Sequence, residues 1–169
     1  IVPFVSPLPP QGCTSAQSEI LDLNDCGQAV GFEEFSDGSS TSVYQALHLD
    51  IETKTCTVLT RGRFATGVNK HNQIAGQRMS DGRSVGMFWK APDDPDPVDL
   101  PPLSNDTQSW PEAINDAGII AGVSFNDDHS SVNGVVWIVK VDQIGDASAI
   151  SVVLALIMTI MVTDFLFDG

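Results

Sequence analysis

The chain has 169 residues, 18% charged and 42% apolar, which suits one folded domain with an appendage and argues against disorder throughout. Twenty-two acidic residues against eight basic ones leave a formal charge of −14, so a polyphosphate backbone would repel it and nucleic acid is excluded as a partner. The chain opens on Ile1 and not Met, which raises the expectation that a leader or other segment precedes it.

From the N-terminus onward, short apolar runs alternate with Gly, Pro, Asn, Asp and Ser, the punctuation of an all-β chain. Three stretches repeat. Leu23-Asn24-Asp25-Cys26-Gly27-Gln28-Ala29-Val30-Gly31 is followed by Val68-Asn69-Lys70-His71-Asn72-Gln73-Ile74-Ala75-Gly76 and by Ile114-Asn115-Asp116-Ala117-Gly118-Ile119-Ile120-Ala121-Gly122, with the shared Asn spaced by 45 and 46 residues. A period of this size carrying several short strands is the mark of blade-like β-repeats. Asn-Asp-x-Gly supplies a side chain that bonds its own backbone and a residue that tolerates positive φ, so it predicts a tight turn. The small-apolar run after it predicts a strand, and the closing Gly predicts a bulge or a close backbone approach.

Each copy then continues in the same order. A second turn is predicted at Ser36-Asp37-Gly38, Ser80-Asp81-Gly82 and Asn126-Asp127-Asp128. A second strand follows at residues 43–49, 84–90 and 134–140, and further strands are predicted at 55–60 and 97–103. Trp89 and Trp137 stand near the end of the second strand in the last two copies, and His48 is read as taking that place in the first. The predicted repeats run over about 7–50, 51–95 and 96–144, about four strands each, giving a β-repeat body over 1–144.

Asn-Asp-x-Gly-x-x-x-Gly, a short acidic hairpin and a strand ending in Trp together resemble the HAF-type extracellular repeats of bacterial secreted and surface proteins. The resemblance covers residues from about 7 to 140. The third copy matches it best, the second lacks the Asp and Gly of the turn, and the first lacks the Trp. The eponymous His-Ala-Phe is absent, its positions reading Tyr44-Gln45-Ala46, Val85-Gly86-Met87 and Asn133-Gly134-Val135. The resemblance implies a β-propeller-like fold outside the cytoplasm and a scaffold without an activity of its own. Three units fall short of the four to eight blades that close a propeller, so either they form a smaller prism-like or sandwich arrangement or a partner covers the open side.

Residues 147–163 are seventeen consecutive residues without a charge. As a helix they would reach about 25 Å, just short of a hydrocarbon core of about 30 Å. A single strand of that length is disfavoured. The expectation is an apolar C-terminal helix over 145–169 that spans a membrane or is buried by a partner, through Ile150, Val153, Leu154, Ile157, Met158, Met161 and Phe165. The body is expected on the outer side of the membrane.

Candidate chemistry is sparse. Cys13, Cys26 and Cys56 lack metal-ligand spacing, and Cys13 with Cys26 is the candidate disulfide in an oxidising compartment. Asp93-Asp94-Pro95-Asp96 and Asn126-Asp127-Asp128 carry oxygens of the kind Ca²⁺ takes, but in no ordered ligand spacing. His48, His71 and His129 fall at different places in the repeat, and no nucleophile elbow, phosphate loop or haem motif is present. Trp110, followed by Pro111, is the candidate partner contact. No cofactor and no catalytic residue is expected. The sequence therefore predicts an accessory subunit of a membrane-associated protein complex, with a carbohydrate- or surface-binding module, or a filament subunit, as the alternative.

Overall fold

The computed structural model describes residues 15–36, 42–144 and 147–154. These residues form twelve strands in three antiparallel sheets of four, each a meander in chain order. The first sheet holds β1 (Ser15–Leu23), β2 (Gln28–Ser36), β3 (Ser42–Asp50) and β4 (Thr55–Val58); the second holds β5 (Phe64–Val68), β6 (Ile74–Ser80), β7 (Arg83–Trp89) and β8 (Val98–Leu100). The third holds β9 (Gln108–Ile114), β10 (Ile119–Phe125), β11 (Val132–Ile144) and β12 (Ala147–Leu154). The strands expected at 55–60 and 97–103 are β4 and β8. They pair with β3 and β7, so the sheets divide the chain at 15–58, 64–100 and 108–154, one strand later than the predicted repeats.

The repeated Asn builds the turn after the first strand of every sheet. Asn24 Oδ1 accepts from the amides of Cys26 and Gln28 at 2.9 and 3.0 Å, Asn69 Oδ1 from His71 and Gln73 at 3.0 and 3.1 Å, and Asn115 Oδ1 from Ala117 and Ile119 at 2.9 and 3.0 Å. The fourth turn residue is left-handed in all three: Gly27 (φ 75°), Asn72 (φ 59°) and Gly118 (φ 74°). Asn72 does the work of glycine in the copy that lacks one. Three residues before each Asn the register skips a residue, Leu21, Thr66 or Glu112, and that bulge turns the first strand's backbone toward the second strand. The closing glycines lie against this approach: a Cβ on Gly76 would run into the Phe64 carbonyl, and Gly31 and Gly122 face Glu19 and Trp110 in the same way.

Sheets stack in chain order. β5 packs against β1, β2 and β3, and β9 packs against β5, β6 and β7; among the described residues the first and third sheets share no comparable contact. Val30, Ala46, Leu59, Ala65, Val68, Ile74, Met87 and Trp89 fill the first seam. Ala75, Phe88, Leu100, Leu103, Ile120, Val135, Trp137 and Val139 fill the second. Each buried indole donates to a carbonyl in the connection leaving the previous sheet, Trp89 Nε1 to Thr60 at 2.9 Å and Trp137 Nε1 to Pro101 at 2.8 Å.

Register corrects the place given to His48. Trp89 pairs with Ile74 and Trp137 with Ile120, five residues after the repeat Asn; the matching pair in the first sheet is Leu49 with Ala29. His48 pairs with Val30 and so corresponds to Phe88 and Val136, on the opposite face. One residue of offset inverts the face because side chains alternate along a strand.

A ladder of side-chain amides runs along the row. Asn24 Nδ2 donates to the Asn69 carbonyl at 2.8 Å, and Asn69 Nδ2 donates to the Asn115 carbonyl at 3.0 Å. Asn69 is 3% exposed and also donates to Gln73 Oε1 at 2.7 Å. Asn69→Ala should lower the unfolding free energy by about 2–3 kcal/mol, because four hydrogen bonds of one buried side chain are lost at once; urea unfolding reads this directly.

Ala147–Leu154, the first half of the stretch expected as a helix, is β12, paired with β11 from Ile144↔Ala147 to Trp137↔Leu154. Its Ile- and Val-rich sequence suits a strand. Residues 155–169, and with them Ile157, Met158, Met161 and Phe165, lie outside the described residues. Among the described residues no helix is long and apolar enough to cross a membrane.

Candidate docking surface

Each sheet has a rear face, on the side of the preceding sheet, and a forward face, on the side of the following one; among the described residues the first has no sheet behind it and the third none ahead of it. Six residues after the repeat Asn, the side chain faces forward. In the first sheet this position and its cross-strand partner are Val30 and His48, 0% and 5% exposed; in the second they are Ala75 and Phe88, both 0%. In the third they are Ala121, exposed, and Val136, half-buried.

Much of the forward face over β9, β10 and Val132–Ile138 shares this condition, Phe125 at the end of β10 being the buried exception at 5%. The cross-strand pairs Ile119↔Ile138, Ala121↔Val136 and Val123↔Gly134 lie on it, and β9 adds Trp110 opposite Val123 and Ala113 opposite Ala121. Trp110 is 41% and Ile119 36% exposed. No charged residue belongs to this set. The opposite face of the same strands carries Ile120 and Trp137, both fully buried in the second seam. An apolar face open to water beside two equivalents that are covered is a surface that gains free energy on being covered, by about 1.5–3 kcal/mol for each large side chain.

The remaining predicted site residues do not meet. Cys13 lies outside the described residues, so the pair with Cys26 is not described; Cys26 is exposed in the first turn. Cys56 on β4 is half-buried, and burial, with the nearby Glu33 charge second, pushes its thiol up to about 11, away from nucleophilic reactivity at neutral pH. Asp94 is buried and closes its own loop, accepting from the amides of Lys90 at 3.0 Å and Asp96 at 3.1 Å. Among the described residues no three His, Cys, Asp or Glu side chains cluster as a metal site would.

The buried hydroxyls of the second seam bind the sheets together. Ser109 Oγ donates to the Leu100 carbonyl at 2.7 Å and accepts from the Gly86 amide at 2.8 Å; Ser124 Oγ donates to Asp106 at 2.7 Å and accepts from the Leu103 amide at 2.9 Å. Several cations of the body are engaged in ion pairs: Arg61 and Arg78 on Asp99, Lys70 on Asp116 and Arg83 on Asp127. The Asp116 and Asp127 carboxyls are held below the usual range, Asp116 by bonds from the Lys70 amide and side chain and Asp127 by the Arg83 bond first and Thr107 second. Being exposed, these pairs order the surface more than they stabilise it.

Glu33 is fully buried on the rear face of the first sheet. Loss of water pushes its carboxyl up, while a bond from Gln45 Nε2 at 3.4 Å acts the other way; Oε1 has no partner among the described residues. The folded state therefore holds this proton more tightly than the unfolded chain, so its contribution favours folding at low pH and is lost as pH rises through the raised value. Glu33→Gln should raise Tm at neutral pH and leave it unchanged at about pH 3, a pair of melts that isolates the one group.

Sequence reasoning singled out Trp110 but not the face around it. The apolar runs of β10 and β11 carry no polar alternation that tells one face from the other, and only the stacking order identifies the side left open. Comparison with protein-family models, with curated proteins and with solved structures finds no match to this chain.

Proposed function

We propose that the protein is a non-catalytic interaction module, an open propeller-like arc of three repeat sheets that binds another protein through the forward face of its third sheet, on the outer side of a bacterial membrane. The observation that carries this reading is the uncovered apolar set Trp110, Ala113, Ile119, Ala121, Val123, Val136 and Ile138, at whose centre Ala121 and Val136 stand where the other two sheets have the buried pairs Val30–His48 and Ala75–Phe88. The extracytoplasmic setting follows from the resemblance of the repeats to HAF-type units, and the uncharged C-terminal run favours a membrane-associated complex.

β12 and a full-length membrane helix draw on the same residues. With Ala147–Leu154 paired to β11, the uncharged remainder is 155–163, about 14 Å as a helix against a hydrocarbon core of about 30 Å. While that pairing holds, attachment falls to a protein partner.

A carbohydrate-binding reading has one observation behind it, the half-buried cluster of Phe32, Tyr44 and Phe64 at the first seam. Those rings already meet one another, Phe32 and Phe64 edge-on at 4.7 Å, and the Arg63 guanidinium lies 4.6 Å from the centre of Tyr44. These three rings are taken up by one another and by Arg63, so docking is the better-supported role.

Native mass spectrometry of the full-length protein, released from its source in mild detergent, tests the reading. The expected result is a complex of fixed stoichiometry with another protein, and its loss in Ala121→Lys at unchanged Tm. A solitary monomer that binds a glycan would overturn it.

A further inference from the structure

We infer that the occupant of the third sheet's forward face is a further sheet of the same Asn-turn repeat, supplied by a partner polypeptide. This deepens the docking reading and rests on it. Two observations converge. The apolar face is the same surface that accepts the next repeat sheet in both seams, where the incoming sheet brings an aliphatic residue five places after its Asn and a Trp opposite it: Ile74 with Trp89, then Ile120 with Trp137.

The amide ladder gives an independent direction. In the first two repeats the side-chain Nδ2 reaches the carbonyl of the next repeat's Asn. Asn115 has its Oδ1 fixed by the same two backbone amides, at 2.9 and 3.0 Å, as Asn24 and Asn69 have theirs. That anchoring directs its Nδ2 along the row, to where a fourth Asn carbonyl would stand. A generic apolar partner would satisfy the face and leave this donor to water; a repeat sheet satisfies both.

A second copy of this chain fits less well. The face it would have to offer is the rear of the first sheet, where Ala29, Glu33, Phe35 and Leu47 are already 0–4% exposed. Each copy also carries a charge of −14.

Photo-crosslinking tests the inference in the full chain, with p-benzoylphenylalanine in place of Trp110 and expression in the native host. The expected cross-link falls in a partner segment bearing Asn, a left-handed fourth turn residue and a glycine seven places after the Asn. Asn115→Asp, which keeps the Oδ1 bonds and removes the donor, should fold normally and lower that yield several-fold. A cross-link to a protein without the repeat, or to a second copy, overturns the inference and leaves docking standing. A cross-link to residues 155–169 of the same chain, to lipid, or to nothing overturns both.

Discussion

Trp137→Ala should lower the unfolding free energy by about 3–5 kcal/mol, the range for removing a fully buried large aromatic, and depress Tm by about 10 °C in a chain of this size. The indole is 0% exposed and packs at the second seam among residues of two sheets, including Phe88, Leu100, Ile120 and Val135. Its removal opens a cavity between sheets that the strand backbones cannot collapse without losing register. Trp137→Phe separates the two contributions. It keeps most of the packing but removes the donor to the Pro101 carbonyl, so it should cost about 1–2 kcal/mol. Equal losses for Ala and Phe would mean that the hydrogen bond, and not the packing, holds the seam.

Gly76→Ala should cost about 3 kcal/mol or more through a different mechanism. The added methyl would collide with the Phe64 carbonyl and lie 2.9 Å from the Ala65 Cα, so backbone must move, and the bulge that makes the approach so close is built into the repeat. Gly134→Ala is the control. No atom lies within 4 Å of the place its methyl would take, so its stability should change by only a few tenths of a kcal/mol. Thermal melts of the pair distinguish backbone collision from a general intolerance of alanine in these strands.

What was legible in the sequence was what the backbone demands of particular residues. Asn24, Asn69 and Asn115 announce their turns because an amide side chain must accept from two amides at once, and Gly31, Gly76 and Gly122 announce the close approach because a Cβ would collide there. The Asp81-Gly82 hairpin follows from the same kind of demand, both residues having positive φ. What was not legible was anything set by stacking. His48 could be aligned with Trp89 by order along the chain, but the hydrogen-bond register puts it opposite Val30 and on the other face. Ala147–Leu154 is apolar enough for a helix and β-branched enough for a strand, and its composition alone does not reveal that it pairs back onto β11, the strand just before it. The open face of the third sheet belongs to the same class: Ile119-Ile120-Ala121-Gly122-Val123 is apolar on both sides, and only the absence of a following sheet among the described residues exposes one of them.

Collisional quenching of tryptophan fluorescence in the isolated full-length chain tests the central claim most directly. Of its three tryptophans, Trp89 and Trp137 are fully buried and Trp110 alone stands on the proposed docking face. The expected result is one long-wavelength emitter that iodide quenches and that Trp110→Phe removes, leaving two shielded indoles. If quenching is the same with and without Trp110, the third sheet's forward face is already covered by its own chain, and it is not a docking surface.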